Sequence, residues 1–323
     1  MADILVTENI GGAAMDSLRH DFDVAFEPNS WQDPQQLLTL VDQVRGIIVR
    51  NQTQVTAPLI AAAPKLEIIG RAGAGLDNID TKTATETGVV VTYAPRENSL
   101  SVAELTIGLM ISLARKIPVA VADTRQGGWN RAAFTGSELS GKTLGVVGIG
   151  RIGTLVAERA RAFGMTIVAH DDYVDPTAAH LQALDIQLDS LEAVLARADF
   201  VVCHVPLSDE TRNLFNQQRF EQMKPGALFI NTSRGEVVDE IALAEALQQQ
   251  RLSGAALDVR SKEPPTVGLL EQMENVILTP HVAAFTHQAQ ERVVAAVCQD
   301  VSAVLQGQAA VNAYNFSQPG QQG

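Results

Sequence analysis

The sequence predicts an α/β protein built from two doubly wound parallel-sheet domains, a flavodoxin-like one followed by a Rossmann one. Three observations carry this expectation. Short apolar strands alternate with helical or polar segments over residues 1–97, and the alternation resumes at Thr143. The stretch Thr143–Asp171 reads in order as strand, glycine-rich turn, helix, second strand and acid. The chain has 323 residues, enough for two cores.

In the first part, strands are expected at Asp3–Val6, Asp23–Phe26, Gly46–Val49, Glu67–Gly70 and Val89–Thr92. The segments between them end in breakers such as Pro28, Pro64 and Gly88, the pattern of a small parallel sheet. Asn98–Lys116 reads as one long helix, with Ser101 and Glu104 as a capping box and Val102, Leu105, Leu109 and Leu113 as its apolar stripe. Pro118–Gly141 is less regular and holds Gly127, Gly128 and Trp129; an interface arm and a loop packed on its own domain are both open readings.

Thr143–Val147 is a β-branched apolar run suited to a strand buried on both faces. Ile152, Leu155, Val156, Ala160 and Phe163 recur at helical spacing, Gly164 is placed to cap the helix, and Met165–Ala169 is the next strand. Further strands are expected at Asp199–His204, Gly226–Asn231, Gly254–Val259 and Asn275–Leu278. A helix over Ala289–Leu305 buries Val293, Val294, Val297, Val301 and Val304. This gives a discontinuous substrate domain, 1–98 with 288–316, a nucleotide domain, 99–287, and a Gln- and Gly-rich disordered tail, 317–323. A ligand is expected in the cleft between the domains.

Composition narrows the class. The 24 basic against 37 acidic residues give a net charge of −13, which argues against nucleic acid as a partner. Cys203 and Cys298 are the only cysteines, too few for a disulfide framework, and Cys203 lies in an apolar run that suits a buried thiol. The start MADILVTENI has no basic-then-apolar leader pattern, and the apolar stretch near Leu105–Ala114 is too short to span a bilayer. A cytoplasmic protein is expected, with no membrane partner and no metal site.

Gly148, Gly150 and Gly153 form G-x-G-x-x-G. The first permits the tight turn, the second lets backbone approach a pyrophosphate, and the third lets helix pack on strand. The helix N-terminus adds unpaired N–H groups and a positive dipole end. Asp171 lies 18 residues after Gly153, placed to accept hydrogen bonds from both ribose hydroxyls and to repel a 2′-phosphate. With Asp172 beside it, the cofactor is expected to be NAD rather than NADP.

Three ionisable residues each follow a strand: Arg234, Glu263 and His281. In a doubly wound sheet such positions converge on one crevice. Moving hydride between a secondary alcohol and NAD needs a base for the hydroxyl proton, and His281 titrates nearest neutrality. Glu263 would orient its ring, while Arg234 would grip a carboxylate and polarise the adjacent carbonyl. Arg71-Ala72-Gly73-Ala74-Gly75 follows a strand and reads either as an anion cradle or as a plain turn. Arg50 would add positive charge there. His204, before Val205-Pro206, either lies near a nicotinamide or merely caps its strand.

These residues sit in longer runs: GRAGAGLDNID (70–80), NSLSVAELT (98–106), ELSGKTLGVVGIGRIG (138–153), HVPLSDETRNLFN (204–216), MKPGALFINTSRGEVVDE (223–240), ALDV with Glu263-Pro264, and TPH (279–281). Over nearly its whole length the chain resembles the D-isomer-specific 2-hydroxyacid dehydrogenases, most of all the D-3-phosphoglycerate dehydrogenase branch. The resemblance implies Arg234, Glu263 and His281 as the catalytic set and Asp171 as the ribose acid. It implies further cofactor contacts at Gly148, Gly150, Arg151, Ile152, Gly153, His204, Pro206, Thr211, Thr232 and Asp258. It implies the backbone of Ala74 and Gly75 as holding the substrate carboxylate, and a homodimer; Arg50 and Arg71 are read from their positions as partners for a substrate phosphate. The implied reaction is NAD-dependent interconversion of a D-2-hydroxy acid and its 2-keto acid, with 3-phosphoglycerate as leading substrate. Hydroxypyruvate or glyoxylate reduction is the alternative, and a nicotinamide-sensing corepressor is the rival from another class. The sequence departs from the family at Arg96-Glu97, Arg260 and Ala284-Phe285, all of which bear on the pocket.

Overall fold

In the computed structural model, which describes residues 2–316, the chain divides into two compact units: Met1–Asn98 with Phe285–Gly323, and Ser99–Ala284. The tail 317–323, expected to be disordered, lies outside the described residues.

The first unit carries β1 (Ile4–Val6), β2 (Val24–Phe26), β3 (Gly46–Val49), β4 (Ile68–Arg71) and β5 (Val90–Tyr93). They run parallel in the order β2-β1-β3-β4-β5, the flavodoxin-like arrangement. β1 and β3 are apolar throughout and wholly buried because helices cover both faces of the sheet. One cover is the helix His287–Leu305, whose Val293, Val297 and Val301 pack with Ile48 and Ile68. Gly70 has to be glycine here: a Cβ would meet Val297 at 2.7 Å and Val301 at 2.8 Å.

The edge beyond β5 is closed by the chain's own later segment. Tyr314 N–H donates to the Val91 carbonyl at 2.8 Å, and Ala313 bridges Thr92. Buried Asp300 holds that segment by accepting from the Thr92 hydroxyl at 2.6 Å and from the N–H groups of Val311 and Asn312 at 2.7 and 3.1 Å. An edge strand left open would offer its backbone to other chains; this one is covered.

The second unit carries β6 (Thr143–Val147), β7 (Thr166–His170), β8 (Phe200–Cys203), β9 (Ala227–Asn231), β10 (Leu252–Leu257) and β11 (Val276–Leu278). All are parallel, in the order β11-β10-β9-β8-β6-β7. A single parallel bridge joins Leu188 to Ala169 of β7. Counted as a one-residue strand, Leu188 restores the Rossmann order 3-2-1 on that side of the sheet.

Several local expectations need correction. The helix begins at Ser99, so Ser101 lies buried in its first turn rather than at its cap. That helix ends at Ala114; Lys116 takes the left-handed φ of 53°, and a second helix, Ile117–Arg125, departs at 63°. Pro118, read as the start of an irregular stretch, instead sits in the first turn of that helix, where a missing N–H costs nothing. β10 runs Leu252–Leu257 rather than Gly254–Val259; just past it the Asp258 N–H still donates to the Asn231 carbonyl at 3.0 Å, while its carboxylate is directed at a loop described below.

Trp129 is 80% exposed, so of the two readings of its segment the one packed on its own unit fails for this side chain. Cys203 is buried, and burial pushes its thiol up to about 11. Among the described residues no single helix is long and apolar enough to cross a membrane; only the bent pair Ser99–Ala114 and Ile117–Arg125 passes by length and composition, and much of its first helix is core.

Candidate active site

β6 and β8 are neighbours in the second sheet although β7 lies between them in sequence, so the strand order reverses beside β6. A crevice at the C-terminal ends of the strands is expected at such a point. The glycine turn follows β6 there. Gly148 has φ of 91°, and a Cβ on it would lie 2.7 Å from the His204 carbonyl carbon. A Cβ on Gly153 would lie 2.2 Å from the Gly148 carbonyl oxygen, which is how the helix Arg151–Ala162 packs against the turn. Gly150 faces open space instead, with nothing within 4 Å of where its Cβ would be.

Asp171, just past β7, accepts the Ile149 N–H at 2.9 Å on one oxygen and those of Tyr173 and Val174 at 2.9 and 3.1 Å on the other. The acid and the glycine turn are thereby fixed to each other. Arg151 is exposed and Ile152 half-buried at the head of the helix.

His204 follows β8 and is half-buried. Its Nδ1 lies 3.5 Å from the Thr232 hydroxyl, itself 3.0 Å from that of Thr106. Its Nε2 is buried without a hydrogen-bond partner. Burial pushes its pKa down to about 3, so the ring is neutral at physiological pH. Thr211 closes the following turn, donating to the Pro206 carbonyl at 2.6 Å and accepting the Ser208 N–H at 2.7 Å. A glycine cradle open at Gly150, a twelve-residue helix starting there, an acid tied to the turn and an orphaned ring nitrogen fit a dinucleotide.

Arg234 lies three residues beyond β9. Asn231, fully buried, shapes the turn by donating from its amide to the Arg234 carbonyl at 2.8 Å and accepting from the Ser233 N–H at 3.0 Å. The Arg234 guanidinium donates to the Ser233 carbonyl at 2.7 Å. A Cβ on Gly235 would fall 1.9 Å from the Arg260 carbonyl carbon, so this turn is pressed against the loop after β10 that leads to Glu263.

Glu263 and His281 meet directly, Oε2 to Nδ1 at 2.7 Å, with the side chains 35% and 39% exposed. Burial opposes ionisation of Glu263, but the hydrogen bonds from His281 and the Arg260 N–H and the charges of His281 and Arg234 outweigh it, and its pKa is net lowered. The anionic carboxylate fixes the ring through Nδ1 and leaves Nε2 as the remaining nitrogen for chemistry. Arg234, Glu263 and His281 are thus gathered on one edge of one sheet.

Asp258, expected among the cofactor contacts, is buried, and its carboxylate holds a neighbouring loop. One oxygen accepts the Thr279 hydroxyl at 2.6 Å and the Val282 N–H at 2.9 Å, the other the Ala283 N–H at 2.9 Å. Its carbonyl accepts the His281 N–H at 2.8 Å. Asp258 therefore clamps the loop on which His281 sits at a left-handed φ of 53°. Sequence reasoning missed this role, although an acid at the end of an apolar strand is a signal of buried donors nearby.

In the first unit, Arg71 ends β4 opposite Val49 of β3, and Arg50 follows Val49, so both arginines stand at the C-terminal edge of that sheet. Gly73 has φ of 157° and lies so close to the Arg71 guanidinium that a Cβ would overlap it. Ala74 and Gly75 are half-buried. Arg96 is exposed; its N–H donates to the Glu97 carboxylate at 2.8 Å, and the Glu97 carbonyl accepts from Arg292 at 2.7 Å.

Residues 107–283 match the model of the D-isomer specific 2-hydroxyacid dehydrogenase NAD binding domain. The chain belongs to that dehydrogenase family. It is 42% identical over 98% of its length to a D-3-phosphoglycerate dehydrogenase of Methanocaldococcus jannaschii, covering 60% of that protein. It spans about three fifths of the length of the curated relatives it matches. A crystal structure of a Thermus thermophilus protein superposes with a TM-score of 0.90 at 35% identity, covering 96% of this chain and 99% of the other. The Aquifex aeolicus D-lactate dehydrogenase in complex with NAD and lactic acid gives 0.86 at 27%, covering 97% and 99%.

In this member of the family Arg260 is no open pocket residue. Its guanidinium, 9% exposed, pairs with Glu240 at 2.8 Å and with Glu271. Burial opposes ionisation of Glu240, but hydrogen bonds from Arg260 and Ser261 outweigh it; Glu271 is lowered chiefly by its bond to Arg260. Both acids titrate lower folded than unfolded, so their stabilisation is present above the ordinary glutamate pKa and is lost as pH falls through the folded values. Arg260→Met should cost about 2–4 kcal/mol at neutral pH by stranding two carboxylates. The gap from the parent, followed by urea melts, should narrow below about pH 4.3; a gap independent of pH would show that the ion pairs contribute nothing.

Proposed function

We propose that the chain is an NAD-dependent dehydrogenase interconverting a D-2-hydroxy acid and its 2-keto acid, with 3-phosphoglycerate and 3-phosphohydroxypyruvate as the leading pair. The observation that carries this reading is the Glu263–His281 pair at 2.7 Å, with Arg234 beside it, on the sheet edge that bears the glycine turn. When bound, the nicotinamide supplies or takes up the hydride. Arg234 grips the substrate carboxylate and stabilises charge developing on the adjacent oxygen. His281, held through Nδ1 by Glu263, delivers a proton from Nε2 to that oxygen in reduction and removes it in oxidation. The balance is one keto acid, one NADH and one proton against one hydroxy acid and one NAD.

Gly148, Gly150, Gly153, Arg151 and Ile152 cradle the pyrophosphate in this reading, Asp171 holds the ribose, and His204, Pro206, Thr211 and Thr232 flank the nicotinamide side. Ala74 and Gly75 bind the carboxylate, with Arg50 and Arg71 for a distal phosphate. Asp171 with Asp172 favours NAD over NADP. The domain roles, substrate for the first unit and cofactor for the second, belong to the same reading, as do a homodimer and a cytoplasmic location.

The test is a panel of 2-keto acids with NADH and NADPH, followed by loss of nicotinamide absorbance. The expected result is turnover with NADH, fastest on 3-phosphohydroxypyruvate. Preference for hydroxypyruvate or glyoxylate would support the second reading, in which Arg96 and Glu97 reshape the pocket. No turnover of any keto acid would point to a nicotinamide-sensing protein instead.

A further inference from the structure

Arg50 is held in an unusual way. Its guanidinium carbon lies 5.6 Å from the centre of the Phe285 ring, within cation–π range. Among the described residues no carboxylate lies within ion-pair distance of that guanidinium. The acid whose charge acts on it, buried Glu8, spends its oxygens on backbone: Arg50 N–H at 2.8 Å, Thr53 N–H at 3.1 Å and Gln52 N–H at 3.2 Å. The Arg50 Nε is buried with no partner. Burial lowers the Arg50 pKa, opposed by the field of Glu8, yet an arginine remains cationic at neutral pH. Phe285 is 53% exposed, a large ring left at the surface.

These facts fit together chemically. A guanidinium carries its donors in its plane and at its edges, so an ion-pair partner consumes them. An aromatic ring beside a guanidinium attracts the cation and restricts its rotamers without taking its N–H groups into an ion pair. We infer that Phe285 is a positioning residue whose ring holds Arg50 through a cation–π contact, taking none of its donors in an ion pair, so that its terminal N–H groups are free to bind the distal phosphate of the substrate. This rests on the proposed dehydrogenase reading for the identity of the substrate, but not for the anion site itself.

The experiment compares Phe285→Ala, Phe285→Leu and Phe285→Tyr with Arg50→Ala in two assays. In kinetics with NADH, the Ala and Leu variants should raise KM for 3-phosphohydroxypyruvate about three- to fivefold, the size of an exposed cation–π contact, with kcat unchanged. KM for hydroxypyruvate should not move, and Tyr should restore the parent value because it keeps the ring. In thermal melts of the NADH-saturated protein titrated with inorganic phosphate, the parent should gain stability, Arg50→Ala should gain much less at every concentration, and Phe285→Leu should need several times more phosphate. A Leu variant equal to the parent, or equal changes with both keto acids, would overturn the inference, because packing rather than the ring's charge distribution would be at work. Absence of any turnover with phosphate stabilisation intact would sink the dehydrogenase reading and leave the anion site standing. Absence of phosphate stabilisation in the parent would sink the site. Since the ring is half exposed, unaltered melts without phosphate are expected for all three Phe285 variants.

Discussion

Replacing His281 by alanine should lower kcat for keto-acid reduction about 10²–10⁴-fold, the range of a positioned general acid, while NADH binding stays nearly intact. The physical basis is that the hydrogen bonds of His281 run to Glu263, Asp258 and Thr279, and none runs to the glycine turn, Asp171 or His204, the residues proposed to hold the cofactor. Fluorescence titration with NADH and stopped-flow reduction separate the two quantities. A variant that loses NADH affinity as well would mean that the histidine is structural. Glu263→Gln should give a smaller loss, because a neutral amide still accepts at Nδ1 but no longer favours imidazolium.

The second large effect is expected at Asp258. Asp258→Ala leaves the Thr279 hydroxyl and the Val282 and Ala283 N–H groups without an acceptor. Buried donors stranded in this way cost about 1–3 kcal/mol each, so a loss of roughly 3–5 kcal/mol is expected once relaxation is allowed for. Activity should fall with stability, because the loop carries His281 in a left-handed conformation that its surroundings must impose. Urea denaturation gives the first number, and kcat measured well below the melting transition gives the second. Parent-like stability would show that the backbone bond from His281 to the Asp258 carbonyl holds the loop unaided.

Legibility in the sequence differed by kind of feature. The run Thr143–Val147, the three glycines and the apolar spacing of the following helix were readable because each is a local pattern: strand period, turn geometry, helical period. Glu263 and His281 could be paired because both follow strands of one parallel sheet, and topology brings such ends together. The break at Lys116 was not readable. It depends on a left-handed residue that is neither Gly nor Asn, with a proline that starts a helix instead of ending one.

The sequence by itself determined the two parallel sheets, the glycine turn with its acid, and the set of ionisable residues at strand ends, since periodicity and residue chemistry act over a few positions at a time. Only the tertiary structure decided what Asp258, Arg260 and Phe285 do. Asp258 clamps the histidine loop, Arg260 is neutralised by Glu240 and Glu271, and Phe285 lies over Arg50, which precedes it by more than two hundred residues. Such contacts carry no period along the chain, because a hydrogen bond or a cation–ring contact is set by where two distant backbones come together.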